Sequence, residues 1–218
     1  MHCVLVAATA QEVEPFVNHY YQTNKQLYID FTLHIIITGV GMVATTYHLT
    51  KYLALHKPDV VIQLGIAGSY TPSLPLCTVV AVKADCFADV GVVEQTGWAD
   101  AFDLKLTKKN AFPYTQKKLK NPHTMLLKRS QLALVQAATV NQISTSKKVI
   151  AAIVHHYNPT IETMEGAALH YVCLQYGVPY IQLRGVSNYV GVRNKQKWNT
   201  AGAIAASNKV LITLFESL

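Results

Sequence analysis

Apolar runs of strand length alternate with stretches of helical period along most of the chain. Val4–Ala8 is a continuous apolar run and reads as a buried strand, and Ala10–Tyr21 then repeats its apolar residues at helical spacing. The pair recurs at Leu33–Thr38 and Gly41–His56. Pro58 breaks that helix and Val60–Leu64 reads as a third strand. Thr78–Ala84 is strand-like. Further on, Val149–Tyr157, Met164–Tyr176 and Thr200–Phe215 have helical period, with a strand at Tyr180–Leu183 between the last two. Strands covered on both faces read as unbroken apolar runs, as these do. The rhythm predicts an α/β fold with a mostly parallel central mixed sheet flanked by helices on both faces. Residues 94–130 are polar, basic and weakly periodic, which predicts a loop or an insertion there.

A chain of 218 residues fits one domain spanning residues 1–218. Half of the residues are hydrophobic (50%) and 14% are charged, which suits a large core and a homo-oligomer that buries part of the surface. The net charge of +7 is uneven: eight of the nineteen Lys and Arg lie between Lys105 and Arg129, a span without Asp or Glu. The aromatic residues among these charges, Phe112 and Tyr114, form no regular interleaving and no nucleic-acid motif accompanies them, so a solvated loop face is expected and no nucleic-acid partner. Cys3, Cys77, Cys86 and Cys173 are scattered, with no Cys-x-x-Cys and no metal-ligand spacing. Buried free thiols and a cytoplasmic location follow as expectations. The apolar start is too short for a signal peptide or a membrane span, so no membrane partner is expected.

Candidate chemistry gathers where strands are predicted to end. Thr38-Gly-Val-Gly41 follows a strand and opens a helix, and Leu64-Gly-Ile-Ala-Gly68 closes the next strand. Small residues let a ligand approach the backbone, so Gly41, Gly65, Ala67 and Gly68 are candidates for the floor of a site. The third glycine of a dinucleotide fingerprint is missing, and no acidic residue ends the following strand at the usual distance. Glu12 follows the first strand, where an acid is also an ordinary helix-start residue. Glu165 opens a predicted helix. Nineteen residues later Arg184 ends a short apolar run, and Asn188 follows in an expected loop. A guanidinium there must be solvated or paired, because burying it alone is costly. A helix and a strand between Glu165 and Arg184 would bring them back to the same end of a sheet, where α/β proteins bind small molecules.

Met164-Glu165 followed by Arg184-Gly-Val-Ser-Asn188 resembles the signature of the purine nucleoside phosphorylase/nucleosidase superfamily. The turn ending in Glu12-Val13 and the two glycine-rich loops match its other landmarks in order. The resemblance covers nearly the whole chain, least at 94–130. Phe87-Ala-Asp-Val-Gly91, Ala138-Thr-Val-Asn141, Met164–Cys173 and Ser187–Asn194 are most similar to the futalosine hydrolase branch, which acts in the alternative menaquinone pathway. Methylthioadenosine/S-adenosylhomocysteine nucleosidases carry Ser-Asp where this chain has Ser187-Asn188.

The resemblance implies a purine nucleoside as the small-molecule partner and an N-glycosidase that needs no metal and no organic cofactor. Glu165 would bind the ribose hydroxyls, with Met164 packed under the sugar. Glu12 would take a proton from the attacking water, and Arg184 would orient that water or the carboxylates. The nucleosidases place a Ser of the glycine-rich loop on the water, and Ile66 stands there in this chain. Asn188 would read the base. Its amide can donate to a 6-oxo group, which suits hypoxanthine, but it cannot itself supply a proton. Phe87 and Tyr189 are candidates to stack on base or tail. The loop 144–146, with Thr145, would contact the base, and Arg193 would meet a benzoate tail. Phosphorolysis would call for a basic residue near the first loop; Val6–Pro15 contains none and carries Glu12, so water is the expected nucleophile. The alternatives are methylthioadenosine/S-adenosylhomocysteine hydrolysis, phosphorolysis of inosine-type nucleosides, a non-catalytic nucleoside-binding protein and a dinucleotide-binding oxidoreductase.

Overall fold

The computed structural model describes residues 1–23, 31–94, 97–143 and 145–216. The elements follow in the order β1 (His2–Ala7), α1 (Glu14–Gln22), β2 (Thr32–Ile37), α2 (Met42–Leu53), β3 (Val60–Ser69), β4 (Val79–Asp85), β5 (Gly91–Glu94), β6 (Gly97–Asp100), β7 (Leu119–Lys120), α3 (Thr124–Arg129), β8 (Ala133–Thr139), α4 (Lys147–Tyr157), β9 (Ile161–Thr163), α5 (Gly166–Tyr176), β10 (Tyr180–Tyr189) and α6 (Thr200–Glu216). A 3₁₀ turn, Ala10–Glu12, joins β1 to α1.

The alternation of side chains along β1 divides the core. Cys3, Leu5 and Ala7 pack with Phe16 of α1 and with Leu211 and Phe215 of α6. Val4 and Val6 point the other way, against Leu49 of α2 and Leu169 and Val172 of α5. Helices therefore cover both faces of this part of the sheet, as expected.

The expectation of a mostly parallel sheet requires correction. β2, β1, β3 and β10 run parallel to one another, and β4, β8 and β9 form a second parallel set. The two sets are antiparallel and meet at two seams, β10 with β4 and β9 with β3. Because β3 also pairs with β10, the strands β3, β10, β4, β8 and β9 close into a ring. The cause is loop length. Residues 70–78 between β3 and β4 are too few for the helical crossover that a parallel return needs, so the chain comes back reversed.

Residues 97–130, expected as part of a loop or insertion, carry structure of their own: β6, β7 and α3. The Lys117 Nζ bonds Asp100 (2.8 Å) and Asp103 (2.6 Å), and the Lys118 Nζ reaches Gln136 and the Tyr157 carbonyl, the latter at 2.9 Å. Part of the basic run is thus internal staple and not solvated face. Among the described residues no helix is long and apolar enough to cross a membrane.

Candidate active site

The chain ends of β1, β3, β9 and β10 surround a cavity of about 310 Å³, walled by Glu12, Glu162, Met164, Glu165, Asn188 and Trp198 and floored by Ala67 and Gly68. A larger hollow of about 580 Å³ lies between the β5–β6 hairpin and α4, near Asp89, Asn141 and Lys148. It holds none of the convergent carboxylates, so the chemistry resides in the smaller cavity.

Glu12 is 8% exposed and held by three donors. The Thr9 N–H and hydroxyl reach its Oε2 at 3.0 and 3.2 Å, and the Ile66 N–H reaches Oε1 at 3.2 Å. The serine contact absent at Ile66 is thus replaced by a backbone grip on the carboxylate itself. Helix α6 pins the same turn from the far end of the chain: the Asn208 amide donates to the Glu12 carbonyl at 2.8 Å and accepts from the Phe16 N–H at 2.9 Å.

Glu165 stands at the entrance of α5 with Oε1 on the Gly41 N–H (3.1 Å) and Oε2 facing Arg184 Nη1 (3.5 Å). Gly41 has φ +99°, a turn that a side chain would strain. Arg184 is 1% exposed. Its Nη2 donates to Gln63 Oε1 (2.7 Å) and its Nη1 to the Ile66 carbonyl (3.4 Å). Its ion pair is with Glu165, not Glu12. Gly65 makes room for this arrangement, since a Cβ there would strike Arg184 Nη1 and lie 2.8 Å from Glu12 Oε1.

Behind Arg184 runs a buried polar chain. The Gln182 carbonyl accepts from Arg184 Nε (3.2 Å) while its amide donates to Asp85 Oδ2 (3.2 Å) and His170 Nε2 (3.0 Å). Asp85 also accepts from the Thr139 hydroxyl (2.9 Å) and the Cys86 N–H (2.8 Å). Burial pushes the Asp85 carboxyl up to about 6, opposed by those bonds and by Arg184. Burial pulls His170 down to about 4, so the ring is neutral.

Asn188 lies within β10, not in the expected loop. The strand continues to Tyr189, and its register against β3 shifts between Val186 and Asn188. The Tyr189 carbonyl takes one amide hydrogen of Asn188 (3.2 Å) and the Ser187 hydroxyl donates to Oδ1 (2.8 Å). Among the described residues nothing accepts the second amide hydrogen, and Asn188 lines the cavity.

The structure brings together Glu12, Ala67, Gly68, Met164, Glu165 and Asn188 on the cavity wall, with Gly41, Gly65 and Arg184 directly behind. Tyr189 contributes its carbonyl. Phe87 packs instead against Tyr171, 6.0 Å between ring centres. Arg193 is exposed and lies 5.6 Å over the ring of Trp198, itself a wall residue. Thr145 is exposed and Ser144 lies outside the described residues; their neighbour Ile143 lines the cavity. Reading the sequence missed Gln63, Gln182, Asn208 and Glu162. The first two carried a signal, a lone Gln inside each of two apolar strands, where an unpartnered amide would be costly.

The family model of the phosphorylase superfamily matches residues 2–216, and the chain belongs to that superfamily. Within it, the futalosine hydrolase of Thermus thermophilus is 31% identical over 173 residues, covering 78% of this chain and 75% of that one. A 5'-methylthioadenosine/S-adenosylhomocysteine nucleosidase of Psychromonas ingrahamii is 27% identical over 194 residues, covering 82% and 78%. The structure of a futalosine hydrolase mutant of Helicobacter pylori covers 100% of both chains with a TM-score of 0.82 at 18% identity, a likeness of fold.

Proposed function

We propose that this chain is a futalosine hydrolase: it cleaves the N-glycosidic bond of futalosine with water, releasing hypoxanthine and dehypoxanthine futalosine in the alternative menaquinone pathway. The observation that carries the choice of base is the second amide hydrogen of Asn188, which no described residue accepts, on an amide held in place by Tyr189 and Ser187. It offers a donor to the 6-oxo group of hypoxanthine. A 6-amino group would present a hydrogen to it, a mismatch worth roughly 1–3 kcal/mol. The similarity to the Thermus enzyme supports the same choice.

The steps follow from the positions of the carboxylates. Glu165, steadied by Gly41 and Arg184, accepts hydrogen bonds from the ribose hydroxyls and favours positive charge on the sugar. Met164 packs beneath that sugar. As the bond to the base lengthens, water attacks the anomeric carbon and Glu12 takes its proton. Three donors hold Glu12 in a single pose, so little reorganisation accompanies attack. Arg184 is 1% exposed and positions Glu165 and, through the Ile66 carbonyl, the loop that grips Glu12. Arg193, over Trp198, supplies a cation for the benzoate. The enzyme works in the cytoplasm as a homo-oligomer, without nucleic-acid or membrane partners.

The test is to incubate the protein with futalosine, inosine and methylthioadenosine, each with and without phosphate, and to quantify free base. Hypoxanthine release from futalosine independent of phosphate is expected. Phosphate-dependent release would refute hydrolysis. Adenine release from methylthioadenosine with futalosine untouched would refute the substrate.

A further inference from the structure

Asn188 can read a purine but has no proton to give, so the departing base needs an acid from elsewhere. Three carboxyl groups line the cavity. Glu12 and Glu165 are committed, each bound by backbone N–H groups, and Glu165 also by Arg184. Glu162 is different. It is 6% exposed, its Oε2 accepts from the Tyr70 hydroxyl at 2.7 Å, and among the described residues its Oε1 carries no hydrogen bond and neither oxygen a cation.

Its place in the sheet is equally specific. Gly68 pairs with Glu162 on β9 and with Asn188 on β10. Residues paired across strands face the same side, so Glu162 and Asn188 project to one side of a single row with Gly68 between them. Two strand spacings put their Cα atoms roughly 10 Å apart. Gly68 has no side chain to fill the space between them, Val190 Cγ2 borders it on one side (3.1 Å from where a Cβ would lie), and Glu162, Gly68 and Asn188 line the same cavity. A Cβ on Gly68 would lie 3.2 Å from Asn188 Nδ2, so the amide already leans over that space.

We propose that Glu162 is the general acid of this reaction, donating its Oε1 proton to N7 of the departing 6-oxopurine. The inference rests on the nucleosidase reading above and adds to it. The balance is complete. The C1′–N9 bond breaks with its electron pair going to the base; the N7 lone pair takes the Glu162 proton; the base leaves neutral. Water oxygen bonds to C1′ and yields its proton to Glu12, which returns it through solvent to Glu162. The Tyr70 hydroxyl donates to Oε2 throughout and stabilises the carboxylate left after transfer. Burial raises the Glu162 pKa, as does Asp89, against the Tyr70 bond, so the acid form persists to higher pH than in an exposed glutamate.

The test is Glu162→Gln, whose amide carbonyl can still accept from Tyr70, so the fold should survive; an unchanged melting temperature checks this. The variant and the wild type are compared on inosine, futalosine and p-nitrophenyl riboside, whose leaving group departs without a proton. The expected result is a fall in kcat of about 100-fold or more on both nucleosides, with KM little changed. Cleavage of the nitrophenyl riboside should stay within about threefold of wild type, since that leaving group needs no acid. Equal losses on all substrates would reduce Glu162 to a structural residue, and full activity on inosine would remove it from the mechanism; either overturns the proposal while leaving the hydrolase intact. A wild type that cleaves no nucleoside would overturn the hydrolase as well.

Discussion

Gly65→Ala is the most demanding test of the site, because one methyl group would meet both Glu12 and Arg184. The new Cβ would strike Arg184 Nη1 and lie 2.8 Å from Glu12 Oε1 and 3.3 Å from Arg184 Cζ. Neither neighbour can retreat cheaply. Arg184 is buried and tied to Gln63 at 2.7 Å, and Glu12 is held by Thr9 and Ile66. Overpacking of this kind costs roughly 1–3 kcal/mol. For a chain of this size that lowers the melting temperature by about 2–12 °C. Activity should suffer more than stability. A displacement of the base by about 1 Å costs on the order of 100-fold in rate. The assay is kcat and KM for inosine and futalosine beside calorimetric melting of the same preparations. Gly68→Ala is the control: its Cβ would sit at 3.1 Å from Val190 and 3.2 Å from Asn188 Nδ2, so it should raise KM more than it lowers kcat. A Gly65→Ala enzyme with wild-type kcat and melting temperature would refute the packing deduced around Glu12 and Arg184.

Glu12→Gln should lower kcat by about 100- to 10,000-fold with the fold retained, and full activity would remove Glu12 as the base. Asn188→Asp should lose roughly 1–3 kcal/mol of preference for 6-oxopurines and gain adenine release from methylthioadenosine, measured as a ratio of kcat/KM values; an unchanged ratio would free Asn188 of base selection. The buried pair Asp85 and His170 predicts opposed pH effects on stability. The fold holds His170 neutral, at about 4 against 6.5 when unfolded, so its contribution is lost as pH falls through that window. Asp85, at about 6 against 3.8, favours the acid form in the fold, so stability is regained as pH falls from 6 towards 3.8. His170→Gln should therefore gain about 2–3 kcal/mol on wild type between pH 7 and pH 4.5 in urea denaturation, and parallel curves would show that His170 is not the group protonated on unfolding.

The candidate site residues were legible because each interrupts an apolar pattern at a turn or strand where burial demands a partner. Arg184 after Tyr180–Leu183 was the plainest case. Of its partners Glu165 was legible too, because a helix and a strand return the chain to the same sheet end over nineteen positions. Gln63 and Asp85 were not, since they reach it only through the pairing of β3, β10 and β4. Strand β8 escaped because Ala133 and Leu134 are exposed and Gln136 breaks the apolar run, and β9 because three residues carry no period. The extension of β10 to Tyr189 was hidden by Ser187, Asn188 and the preceding glycine, which look like a loop until β3 is laid beside them. Glu162 carried no local mark: its importance arises from Gly68, a partner ninety-four positions away.

The closed ring has a consequence for how such a site can change. The residues proposed to meet the base, Glu162, Gly68 and Asn188, lie on strands locked into a circuit with no open edge between them, so a shift in one would strain every seam. Ile143, Trp198 and the Thr200 and Ile204 positions of α6 line the same cavity from outside that circuit. On the proposed reading, what hangs from the far side of the sugar can be exchanged by remodelling these outer segments alone, while the choice of base changes only by substitution in place. Two kinds of specificity are thus written in two mechanically separate materials, and a chain of this design can acquire a new tail without renegotiating its purine.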